Sequence, residues 1–84
     1  MKHILKQYDT FADATLSGEK PFELRCNDRN FQKGDLVQFE VVERFEPHAP
    51  ADHPLNAALF EITYVVSGWG MQQGYVAFGI KKIS

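Results

Sequence analysis

Residues 8–26, YDTFADATLSGEKPFELRC, change their hydrophobic period halfway through, and that change decides the fold. Up to Ser17 the spacing is helical. Phe11, Ala12, Thr15 and Leu16 fall on one side, Asp9 or Thr10 is placed to cap, and Asp13 sits in the first turn. Gly18 tolerates the left-handed conformation that ends helices, and Pro21 forbids continuation. From Phe22 the period is two: Phe22, Leu24 and Cys26 point one way, and Glu23, Arg25 and Asn27 the other. A helix therefore hands over to a strand within four residues.

The chain on either side reads as further strands. Residues 2–6 (KHILK) are apolar at the centre and charged outside. Asn27-Asp28-Arg29-Asn30 and Lys33-Gly34-Asp35 are polar turns, and Leu36 to Arg44 is rich in Val and Phe. Residues 46–58 (EPHAPADHPLNAA) hold three of the four prolines and read as a surface loop. Leu59 to Val66 alternates, with Phe60, Ile62, Tyr64 and Val66 on one face. Glycines 68, 70 and 74 break the chain around Trp69, and Tyr75 to Ile83 is a last strand. The order β-α-β-β-β-β, with one helix and five short strands, cannot build a doubly wound sheet. It predicts an α+β, mostly β domain spanning residues 1–84: a small, mainly antiparallel five-stranded barrel with the helix packed near its mouth. Phe22, Leu24, Val37, Phe39, Val41, Ile62, Tyr64 and Phe78 are the expected core, with Cys26 packed among them as a small apolar residue.

Length and charge exclude several functions. Eighty-four residues, 44% hydrophobic and 24% charged, are ordinary for one soluble domain. No apolar run approaches the ~18 residues of a membrane helix, and the first residues lack a signal core, so a cytoplasmic home without membrane contact is expected. One cysteine permits neither a disulfide framework nor a thiolate zinc site. A net charge of −2 is poor for duplex DNA, whose binding rests on neutralised phosphates. The charge is uneven: residues 1–33 carry six basic and five acidic groups, whereas residues 34–80 carry one and six. Lys81 and Lys82 close the chain, so an anion site is expected to use the first third, alone or with these C-terminal lysines.

No Ser-His-Asp or Cys-His set, P-loop or dinucleotide-binding glycine loop is visible. His48, Asp52 and His53 share the proline-rich loop, but their spacing matches no metal signature and a solvated loop is the better reading, so no metal and no cofactor is expected. The dense polar stretch is Gly18 to Arg25, where Lys20, Glu23 and Arg25 can converge. One reading is a polar pocket: Arg offers a planar fork, Lys a point charge, Glu an acceptor for amines. The other is a surface ion-pair ladder worth ~0–1 kcal/mol. Composition alone favours the ladder.

Gly18-x-Lys20-x-x-Glu23-x-Arg25 resembles the G-x-K-x-x-E-x-R signature of the ASCH domain, a relative of the PUA domain of RNA-modifying enzymes. The run PFELRCNDRNFQKGD, followed by EITYVVSGWGMQQGYVAFGI, is similar to a small bacterial and phage branch of that family. The resemblance covers nearly the whole chain except 46–58. It implies a PUA-like five-stranded barrel and a cleft that binds RNA or a nucleotide, and it tips the polar stretch toward the pocket. The expected partner is single-stranded RNA or a nucleotide-like ligand, held by Lys20, Glu23, Arg25, Asn27 and Arg29, with Trp69 stacking on a base. An enzymatic branch, the acetylcytidine amidohydrolases, uses a lysine, a threonine three residues later and a later carboxylate. Glu23 stands at the threonine position, and no Asp or Glu follows Glu61. The resemblance thus implies a non-catalytic module, with a small amidohydrolase for acylated nucleosides as the alternative; a further alternative is a structural or partner-binding phage or plasmid accessory domain whose polar cluster only holds the fold.

Overall fold

The computed structural model describes residues 1–84. Strand β1 (Lys2–Tyr8) runs directly into helix α1 (Asp9–Ser17), followed by β2 (Phe22–Cys26), β3 (Leu36–Val42), a 3₁₀ turn (Pro54–Ala57), β4 (Leu59–Ser67) and β5 (Tyr75–Lys82). The expected order β-α-β-β-β-β is present. The helix ends as its sequence dictates: Gly18 is left-handed (φ 85°), its N–H returns to Thr15 O, and the Lys20 N–H returns to Ala14 O.

One five-stranded sheet, β1-β3-β4-β5-β2, curls into a half-barrel. The β1–β3 pair is parallel and the other three pairs are antiparallel. The end strands β1 and β2 face each other across a seam with no backbone ladder. Side chains span it: Arg25 donates to Lys6 O, Arg29 to Ile4 O at 3.0 Å, and Gln7 Nε2 to Glu23 Oε2 at 2.9 Å. Inside lie Leu5, Val37, Phe39, Val41, Phe60, Ile62, Val76, Phe78 and Ile80, with Ala12 of α1 and Phe31 closing the flanks.

Three expectations need correction. The alternation of β2 is real but inverted. Glu23 is 2% exposed, whereas Phe22 and Leu24 are 51% and 58% exposed, and Cys26 stands outside with them. The reason is position: β2 borders the seam, where the interior is polar and Gln7, Lys20 and Arg25 satisfy a buried carboxylate. Tyr64 is also outside, because a bulge between Ile62 and Tyr64 flips the parity of β4. At that bulge Thr63 lies over Gly79, where an added Cβ would come within 2.5 Å of Thr63 Oγ1. Finally, the proline-rich segment is more than a surface loop. Leu55, in its 3₁₀ turn, is fully buried against the core. Asn56 accepts from the Val41 N–H and donates to Ala51 O, covering the end of β3 that β4 leaves unpaired.

Candidate functional site

The helix-to-strand handover places the signature residues at the open end of the seam. Gly18 turns the chain, Pro21 starts it extended, and the two-residue period of β2 aims Glu23 and Arg25 inward together. Each Glu23 oxygen is engaged. Oε2 accepts from Lys20 Nζ and from Gln7 Nε2; Oε1 accepts from Arg25 Nε at 3.0 Å, with the Arg25 NH2 nitrogen 2.8 Å away. Two cations around one carboxylate leave one net positive charge. The Lys20 and Arg25 side chains keep 20% and 26% of their surface exposed, so both reach solvent. The second terminal nitrogen of Arg25 makes no hydrogen bond within the chain.

A cleft of about 750 Å³ opens above this trio, within the usual range for small-molecule sites. Its walls come from Gln7 and Tyr8 of β1, Phe11 of α1, and His48. Phe22, Leu24 and Tyr75, whose side chains stand on the outer face of the sheet, form its outer lip. The Lys20 ammonium lies 5.2 Å from the Phe22 ring centroid and 5.7 Å from that of Phe11, so the cation is framed by π faces. His48 stacks on Tyr8 at 5.7 Å between ring centroids and 27° between planes. The result is a charged floor beneath an aromatic rim. Such a site can take a flat ring by stacking and a polar or anionic edge by hydrogen bonding.

Of the six residues singled out in the sequence, three meet here and three lie outside the cleft. Lys20, Glu23 and Arg25 converge. Asn27 caps its own turn, with Oδ1 accepting from the Phe31 N–H. Arg29 clasps the seam at Ile4 O. Trp69 is 92% exposed in the β4–β5 hairpin, away from the cleft. The aromatic wall of Tyr8, Phe11 and His48 was missed. Tyr8 and Phe11 have the i, i+3 spacing that would have put them on one face, but His48 is 40 residues further along and nothing local marks it. The two loop histidines part company: His53 lies 2.7 Å from Asp13, while His48 contacts Glu46 and Tyr8. No three His, Cys, Asp or Glu side chains come together as a metal site would require.

The fold and cleft define a small, sheet-dominated α+β half-barrel with one charged, aromatic-rimmed cleft. Residues 2–80 match the family described as a domain of unknown function (DUF3850), and the chain belongs to that family. No curated protein matches the chain. No helix is long and apolar enough to cross a membrane.

Proposed function

We propose that this domain is a non-catalytic binding module, related to the ASCH and PUA-like domains, that recognises a nucleotide of single-stranded RNA or a nucleotide-like ligand in the β1–α1–β2 cleft. The observation that carries this reading is the Lys20–Glu23–Arg25 floor beneath the Tyr8, Phe11 and Phe22 rings. Glu23 holds the guanidinium in one orientation, which lowers the ordering cost of binding. One net charge suits a single phosphate or a polarised base edge, and the overall charge of −2 disfavours a long duplex. Binding is preferred to hydrolysis on two grounds. No Ser, Thr or Cys lines the cleft, and both Glu23 oxygens are occupied by donors, so that carboxylate is not free to act as a base.

The test is titration of nucleoside monophosphates and short oligonucleotides into wild type and variants, with thermal melts alongside. Arg25→Ala and Lys20→Ala should weaken binding by ~1–3 kcal/mol each, and Arg25→Lys should restore little. Lys33→Ala, on an exposed turn outside the cleft, should change little. Equal losses from Lys33→Ala and Arg25→Ala would mean diffuse electrostatics, and a wild type that binds none of these probes would refute the proposal.

A further inference from the structure

Gln7 sits in the floor of the cleft with half of its amide unused. It is the third inward side chain of β1, it is 4% exposed, and it lines the cleft. Chemistry fixes which end of the amide meets Glu23. A carboxylate only accepts, so the Nε2 group must be the end that faces Oε2, at 2.9 Å. The amide oxygen Oε1 is then turned away from Glu23, and no donor of the chain reaches it. Nor is it sealed in the core, because Thr15 Oγ1 is the one enclosed side-chain N or O atom without a partner. Gln7 Oε1 therefore touches open space, and the open space that Gln7 lines is the cleft.

The other acceptors around the floor are taken. Glu23 Oε2 accepts from Lys20 and Gln7, and Oε1 accepts from Arg25 Nε with the NH2 nitrogen 2.8 Å away, so the lone pairs of the carboxylate are filled. Phe22 O accepts from Lys20 Nζ at 2.9 Å, and Lys6 O accepts from Arg25. On the donor side, Lys20 keeps one N–H after its two bonds, and Arg25 keeps its second terminal nitrogen. Gln7 Nε2 and Lys20 Nζ share one Glu23 oxygen, so the free amide oxygen lies in the same patch as these free donors. We infer that Gln7 is a specificity-determining residue of the cleft, and that its floor takes the edge of a nucleobase, an N–H beside a carbonyl or ring-nitrogen acceptor, and not a phosphate. This deepens the proposed reading of the cleft and rests on it. A phosphodiester or a phosphate dianion presents acceptors only, and would set an oxygen against Gln7 Oε1 with no proton between them. A base edge gives its N–H to Oε1 and its acceptor to Lys20 or Arg25, while its ring stacks against the aromatic wall.

The test is calorimetric titration of the full chain with ribonucleosides, their 5′-monophosphates, short oligonucleotides and inorganic phosphate. The best-bound nucleoside should match its monophosphate within ~3-fold in Kd, and inorganic phosphate should not displace it. Replacing that nucleoside's edge N–H by N–CH3 should weaken binding at least ~10-fold, about 1.4 kcal/mol. Gln7→Met keeps the length of the side chain and leaves Glu23 to Lys20 and Arg25. In that variant the parent and methylated nucleosides should bind within ~3-fold of each other, a loss of selectivity that a merely structural role would not produce. If Gln7→Met does not fold, the comparison of parent and methylated nucleoside on wild type decides alone. A methylated nucleoside that binds wild type as well as its parent would overturn the inference. Monophosphates, oligonucleotides or inorganic phosphate binding where nucleosides do not would also overturn it, and would leave the nucleotide site itself standing. A wild type that binds none of these probes would overturn both.

Discussion

Replacing Glu23 should unfold this protein more effectively than replacing Leu24, the reverse of what hydrophobicity dictates. Glu23 is 2% exposed and accepts from Lys20, Gln7 and Arg25. Glu23→Gln keeps the volume but turns one oxygen into an N–H donor, which must then face either the Lys20–Gln7 pair or Arg25. Breaking one partner out of a buried ion pair costs about 3–5 kcal/mol. Water can take over part of the charge on Lys20 and Arg25, whose side chains are 20% and 26% exposed, so the cost falls to about 2–4 kcal/mol. For a domain of this size, that lowers Tm by about 10–25 °C. Leu24 is 58% exposed, so Leu24→Ala should cost under about 1 kcal/mol, against the ~2–5 kcal/mol of a core leucine. Urea and thermal unfolding followed by circular dichroism read both values. A Leu24→Ala loss larger than that of Glu23→Gln would mean that β2 faces the other way, and the cleft described above would not exist.

Three further outcomes follow from the core and the far end of the sheet. Leu55→Ala should cost ~2–5 kcal/mol in denaturant unfolding, since Leu55 is fully buried although it lies in the proline-rich segment. Gly79→Ala should cost about 1–3 kcal/mol because its Cβ would press on Thr63 Oγ1, and Thr63→Ala in the same chain should recover part of that loss, a coupling that a double-mutant cycle measures. Burial pushes the Asp35 carboxyl up. Hydrogen bonds from His3, the Gln32 N–H and the N-terminal amine, together with the charge of that amine, outweigh burial and hold the carboxyl below its ordinary value of 3.8. A carboxyl depressed in the native state adds stability that is complete above its unfolded value and is lost as pH falls through the native one. Wild-type Tm should therefore drop more steeply than that of Asp35→Asn below about pH 4, and parallel curves would remove Asp35 from the acid response.

Elements were legible where local chemistry determines them, and so was the facing of Val37, Phe39, Val41, Ile62 and Phe78, which are buried as expected; the facing of β2 and of the second half of β4 was not. Gly18 and Pro21 bracket the handover, and polar, glycine-rich or proline-rich segments separate the later strands, so the element order follows from short-range signals. Which side of a strand is buried depends on its place in the sheet. Phe22 and Leu24 are the apolar residues the alternation sends inward, yet both stand outside, because β2 borders the seam and its inward positions meet polar groups from across it. Tyr64 was misplaced by a single bulge, which no alternation can reveal. The floor of the cleft was legible because Lys20, Glu23 and Arg25 lie within six residues. The wall was not, since His48 reaches Tyr8 only through the fold.

The inward positions of β1 show how the two ends of the half-barrel differ. They read His3, Leu5, Gln7: polar, apolar, polar. At one end, His3 Nε2 lies 2.8 Å from Asp35 Oδ2, its ring packs edge-on against Phe31, and the Gln32 N–H and the N-terminal amine complete the Asp35 shell. That cluster is closed on itself by these partners. At the other end, Gln7 meets Glu23 in the same way, a buried carboxylate held by a side chain from β1. The difference lies in the counter-charges. Lys20 and Arg25 are long enough to hold Glu23 and still present unused N–H groups to about 750 Å³ of open space. The same device, a buried carboxylate tied to β1, therefore closes on its own partners at one end of the fold and at the other leaves unused donors facing an open cleft.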